Sequence, residues 1–233
     1  MNSKRPSSIF QTLADWVSWA HPIRFMPVFA IAALVCVSCG QPAKPTSSTA
    51  ATQEGGKLRD VSVFAAVTDQ KERSRALFLE ASRVLLHPRC TNCHPDGDVP
   101  MQGRDRIFHQ PPVTRGAEGK GVVGMECAGC HQDRNVEQAR VPGAPNWHLA
   151  PLEMAWVGKT PQSICLQVKD LERNGGKSLA EIVEHSGHDK LVAWGWSPGS
   201  GREPAPGTQE QFGKLMAAWV ETGAECPAEE TKP

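Results

Sequence analysis

Apolar positions along this chain form one unbroken run near the start and several periodic stretches later, separated by long irregular connections. From Met26 to Val37 nearly every residue is apolar. Twelve residues are too few to span a bilayer but suit the hydrophobic region of an export signal. Beyond it, Gln41 to Lys57 is low-complexity Pro, Ser, Thr, Ala and Gly, which cannot bury enough apolar area to offset its ordering entropy. Leu58 to Val67 reads as a short strand or as the run-in to a helix. From Asp69 to Leu86, Leu77, Ala81, Val84 and Leu85 recur at helical spacing, and Pro88 closes the helix.

Loops follow through 95–126 and 132–158, where Pro142, Pro145 and Pro151 exclude a long helix. Thr160-Pro161 is an N-cap with proline at the first helical position, opening a helix to about Glu172 with Ile164, Val168 and Leu171 inward. Asn174-Gly175-Gly176 stops it. Ser178 to Glu181 forms a capping box for a short helix through His185. Trp194 to Gly199 reads as a turn with two large aromatics. Thr208 to Gln211 is a second capping box, opening a helix with Phe212, Leu215, Met216, Trp219 and Val220 on one stripe and Gly223 at its end. The expected fold class is mainly α and loop-rich.

Composition changes this picture in one respect. Of 233 residues only 39% are hydrophobic and 6% aromatic, with no Tyr. The protein's own core is modest, and a buried macrocycle would supply missing apolar surface. Formal net charge is zero, and no basic cluster points to nucleic acid.

The cysteines carry the chemistry. Cys90-Thr91-Asn92-Cys93-His94 and Cys127-Ala128-Gly129-Cys130-His131 both read C-x-x-C-H, the pattern of covalent c-type haem attachment. Two thiols at this spacing can form thioethers to one edge of a haem, and the next residue offers an axial imidazole to the iron. Two covalently attached haem c groups are therefore expected, bound by Cys90, Cys93, Cys127 and Cys130, with His94 and His131 as proximal ligands. The rival is one zinc held by four thiolates. His directly after both pairs, the export signal and the spare histidines all weigh against it.

Distal ligands are open at this stage. His109 and His148 lie in irregular segments after each motif, where a loop can fold back over a haem. His185, His188 and the thioether of Met154 are alternates. His87 and Met125 lie too close before their own motifs, and Met216 belongs to a core stripe. Cys165 and Cys226 remain as an even pair in a chain with an export signal, which predicts a disulfide over two free thiols. Val37-Ser38-Cys39-Gly40 resembles a bacterial lipoprotein signal, with cleavage before Cys39 and a lipid on that cysteine. The expected organisation is a signal over 1–38, a flexible tether over 39–67 and a cytochrome c-like dihaem domain over 68–228, held at a membrane in the periplasm.

The segment from about Ala81 to Cys226 resembles small bacterial dihaem c-type proteins known as the isoquinoline 1-oxidoreductase subunit. The stretches that carry the resemblance are ASRVLLHPRCTNCHPDGD, RGAEGKGVVGMECAGCHQ, PGAPNWHLAP, KDLERNGGKSLAEIVEH, LVAWGWSPG and AAWVETGAECP. It implies a redox partner of the molybdenum hydroxylase type, in which any oxidoreductase activity would reside, since no motif here could bind molybdopterin. It also puts His109, His148 and His185 in shared segments. The reading favoured overall is single-electron transfer between a dehydrogenase or oxidoreductase partner and the respiratory chain. Its alternative is a haem enzyme with an open iron, a peroxidase or gas-reactive protein. A haem-based sensor has no signalling module to act through.

Overall fold

Four helices enclose the core of this mainly helical chain, whose computed structural model describes residues 56–229. The expected signal region, Cys39 and most of the expected tether lie outside the described residues. The helices are α1 (Gln70–Leu85), α4 (Pro161–Lys169), α5 (Leu179–His188) and α7 (Gln209–Glu221); short turns α2 (Pro88–Thr91), α3 (Cys127–Cys130) and α6 (Lys190–Ala193) intervene. Among the described residues there are also short 3-10 turns and two small antiparallel hairpins: β1 (Met101–Gln102) with β2 (Ile107–Phe108), and β3 (Gly121–Val122) with β4 (Met125–Glu126). Among the described residues no helix is long and apolar enough to cross a membrane.

Each long helix begins where a short polar side chain can take a free backbone N–H. Asp69 caps α1, Thr160 caps α4, and both reciprocal hydrogen bonds of the capping box form at Ser178/Glu181 and Thr208/Gln211. α7 packs against both α1 and α5. Phe78 and Trp219 meet at 4.9 Å between ring centroids, and Ser74 Oγ donates to the Trp219 carbonyl at 3.2 Å while accepting from Glu225 N at 2.9 Å. Where α5 crosses α7, the backbones touch: a Cβ on Gly213 would lie 2.7 Å from the Gly187 Cα. Cys165 on α4 is joined to Cys226 beyond α7 in a disulfide, as the leftover pair predicts. α4 ends at Lys169, so Leu171, expected inward, lies beyond the last turn and is 58% exposed.

The packed unit also begins earlier than Thr68. Residues Val61–Ala66 form a 3-10 helix that buries Phe64, and Leu58 joins the same core. The anchor is Glu80 on α1, a buried carboxylate that accepts from Arg59 N (3.0 Å), Arg59 Nε (2.7 Å) and Arg83 Nη1 (2.6 Å). Burial pushes the Glu80 carboxyl upward, but these donors outweigh it and hold the group below its ordinary value. A depressed carboxyl contributes stability above its unfolded pKa, and that contribution disappears as pH falls through the folded value. Glu80→Gln should cost about 1–3 kcal/mol at neutral pH, shrinking below about pH 4. Denaturant unfolding at neutral and acid pH checks this; a cost that does not change with pH would contradict it.

Candidate haem centres

At the first motif, the chain leaves α1 and turns at once. His87 is the N-cap of α2, its Nδ1 accepting from Arg89 N at 3.2 Å, and Pro88 follows at the first helical position. This one turn carries Cys90, and the His94 amide donates to the Cys90 carbonyl at 3.0 Å. The His94 ring lies flat on Trp156, with centroids 3.4 Å apart and planes 5° from parallel. Its Nδ1 is 2.7 Å from the Met154 carbonyl oxygen. A carbonyl can only accept, so Nδ1 carries the proton and Nε2 keeps its lone pair. That carbonyl is itself fixed: Gln167 on α4 donates through Nε2 to the carbonyls of Glu153 (2.9 Å) and Ala155 (3.2 Å) on either side.

Beside His94 opens a largely apolar pocket of about 170 Å³, walled by α1, α5, α7 and the Trp194–Trp196 turn. Cys90 and Cys93 line it and form no disulfide. Burial pushes the Cys90 thiol up to about 12 and the Cys93 thiol up to about 11. Burial likewise pushes His94 down to about 3, overriding the Met154 hydrogen bond, so the imidazole is neutral. Two further histidines line the pocket. His185 comes from α5, its Nδ1 3.4 Å from Asp189 Oδ2; His148 comes from the loop, its Nδ1 2.5 Å from the Asn146 carbonyl. His148 follows the second motif in sequence yet lines the first pocket. The reason is the next stretch of backbone: Ala150 N donates to the Cys93 carbonyl at 3.1 Å, and buried Arg115 clamps Ala150 by donating to its carbonyl.

The second motif repeats the pattern on an open surface. α3 follows β4 directly and has no buried residue; Cys130 is exposed. His131 Nδ1 is 2.7 Å from the Pro142 carbonyl, and its ring stacks on Trp147 at 4.5 Å and 4°. Asn135 holds that carbonyl in place, its Oδ1 accepting from Gly143 N at 3.0 Å. A side chain at position 143 could not fit there, since a Cβ would lie 2.3 Å from the Arg134 carbonyl oxygen. His109, beyond β2, faces His131 with centroids 5.8 Å apart and planes at 65°, and its Nδ1 is 2.8 Å from the Pro111 carbonyl. Two imidazoles on opposite sides of one metal, each at about 2 Å, would place their ring centres about 6 Å apart. Burial lowers the His131 pKa, against the raising effect of the Pro142 bond, and His109 lowers it further.

No protein-family model, curated protein or solved structure matches the chain. What the centres can hold therefore follows from their side chains. Among the described residues no three His, Cys, Asp or Glu side chains converge as a metal-holding group, so the two C-x-x-C pairs do not assemble into one four-thiolate zinc set. A haem with two carboxylates fits the first pocket in three ways. Its walls are apolar. The Trp156 indole N–H is buried in the pocket wall without a partner. The buried Arg89 guanidinium, which donates through Nε to the Glu203 carbonyl at 2.7 Å, supplies positive charge at the same wall.

Of the remaining expected ligands, Met154 lines the first pocket and His188 does not. His188 is 73% exposed beside Glu184, outside both centres. Met154 contributes its carbonyl behind His94. Sequence reasoning missed Trp147, Trp156, Arg115 and the two acceptor carbonyls. One signal was available: Trp147 and Trp156 are large aromatics in a segment whose lack of apolar periodicity gives them no core stripe to join.

Proposed function

We propose that this chain is a dihaem c-type cytochrome that carries single electrons between an oxidoreductase partner, of the molybdenum hydroxylase type among others, and the respiratory chain. In the same reading, residues 1–38 are an export signal, and a lipid on Cys39 tethers the cytochrome c-like domain to a membrane in the periplasm. The observation that carries this is the duplicated geometry. Both C-x-x-C-H histidines give Nδ1–H to a backbone carbonyl and stack on a tryptophan, which leaves each Nε2 as an unprotonated donor on a fixed ring.

A haem c bound at each motif would supply a one-electron iron couple. Cys90 and Cys93 would hold the inner group, Cys127 and Cys130 the outer one. His94 and His131 would be proximal, each oriented by its carbonyl acceptor. His109 is our assignment opposite His131. Opposite His94 we assign His185, because it stands on a helix whose position is set by the Gly187–Gly213 crossing, and keep His148 as its competitor from the loop. An imidazole on each side at both centres would favour outer-sphere electron transfer over peroxide or gas chemistry.

A pyridine haemochrome assay should return two haems per chain, and low-temperature EPR should show both ferric irons low-spin. His185→Ala should convert one of them to high spin, while His148→Ala leaves both low-spin. Haem-free protein purified from a cytochrome c-maturing host would end this reading. A high-spin iron in the wild-type protein would favour the open-iron enzyme instead.

A further inference from the structure

We infer that Trp147 and Trp194 form an electron relay between the two centres, an inference that rests on the dihaem reading. The two indoles bridge what the sequence keeps apart. At one end, Trp147 stacks on the His131 ring at 4.5 Å with planes 4° from parallel. Its other neighbour is Trp194, 5.0 Å between centroids in an edge-to-face contact of 81°. Trp194 in turn stands in the wall of the first pocket, which His94, Cys90 and Cys93 share. Two aromatic rings thus fill the distance from the ring of one motif histidine to the wall of the other site.

Trp194 is fixed more firmly than packing alone requires. Its Nε1–H donates to Asn135 Oδ1 at 2.9 Å, and that same oxygen accepts from Gly143 N, next to the carbonyl that orients His131. Asn135 Nδ2 donates to the Ser197 carbonyl at 3.1 Å, which ties the loop after the second motif to the turn that carries Trp194. One amide side chain therefore sets both the second centre's proximal acceptor and the first centre's aromatic wall. The Arg89 guanidinium lies 5.6 Å from the centroid of the Trp194 ring. A cation over an indole face disfavours removing an electron from it. The pair consequently acts as a bridge for tunnelling and is not itself oxidised. With haem bound at both motifs, one electron would pass from the reduced centre to the oxidised one; both indoles would stay neutral, and no proton would move.

A second route exists, and it makes the inference testable. Ala150 N donates to the Cys93 carbonyl and Leu149 N to the Gly119 carbonyl, and one peptide further on Cys127 N donates to the Lys120 carbonyl at 2.8 Å. This backbone route survives any change to the indoles.

The test is flash photoreduction of the holoprotein, following redistribution of one electron between the haems. Trp194→Leu touches neither motif histidine. With two haems still bound, it should slow redistribution by an order of magnitude or more beyond what the measured difference in reduction potentials accounts for; Trp194→Phe should recover most of the rate. Trp194→Met, which keeps apolar bulk but removes the ring, should be as slow as the leucine variant and serves if that variant does not fold. An unchanged rate in Trp194→Leu carrying both haems would overturn the relay in favour of the backbone route and leave the dihaem reading intact. Wild-type protein without two haems would overturn both.

Discussion

Protein with Cys90→Ala and Cys93→Ala should carry one haem per chain and lose about 3–5 kcal/mol of stability, the scale of emptying a large core site. Protein with Cys127→Ala and Cys130→Ala should also carry one haem but lose under about 1 kcal/mol, as for a surface change. The asymmetry comes from where each motif sits. The first pair lines a pocket whose walls are the core itself, including Val84, Ile182, Phe212 and Met216. Without a macrocycle there, those side chains face a void or water. The second pair lies on α3, which buries nothing. Haem quantification beside denaturant unfolding measures both effects, and equal losses from the two pairs would refute the inner and outer distinction.

The Cys165→Ala/Cys226→Ala protein should be less stable by about 4 kcal/mol on the loop-entropy account of a cross-link, given a sequence separation of 61 residues. For a folded unit of this size that corresponds to a fall in Tm of roughly 10–15 °C. The bond joins α4, whose Gln167 positions the carbonyl behind His94, to the segment leaving α7. Its loss should therefore loosen the first centre while leaving haem content at two. Thermal scans of the wild-type protein with and without reductant give the same comparison, and coincident scans with the bond demonstrably reduced would count against it.

Much of the helical frame could be read from local chemistry. Thr160, Ser178 and Thr208 announce their helices because a cap is a short-range device, and the stripe from Phe212 to Val220 names the face that α7 buries. The attachment residues were equally legible, since C-x-x-C-H is itself local. The packing of Leu58 and Phe64 was not, because it depends on Glu80 capturing Arg59 from another element. Nor was the partnering of histidines. His148 lies nearer in sequence to the second motif, and only the hydrogen bond from Ala150 to Cys93 carries it to the first. The acceptors behind His94 and His131 are backbone carbonyls, a group every residue possesses, so no residue type could mark them.

The placement of the cysteines also orders how such a chain must be made. The inner thiols line a pocket walled by α1, α5 and α7, so on the dihaem reading a covalent graft there would be easier before those helices pack. The outer pair, with Cys130 open to solvent, can still be reached on a finished domain. Surroundings oxidising enough to join Cys165 to Cys226 would also join Cys90 to Cys93 in an unfolded chain. Haem attachment at either motif would then be a race against the oxidant, and at the inner motif also against the packing of the helices.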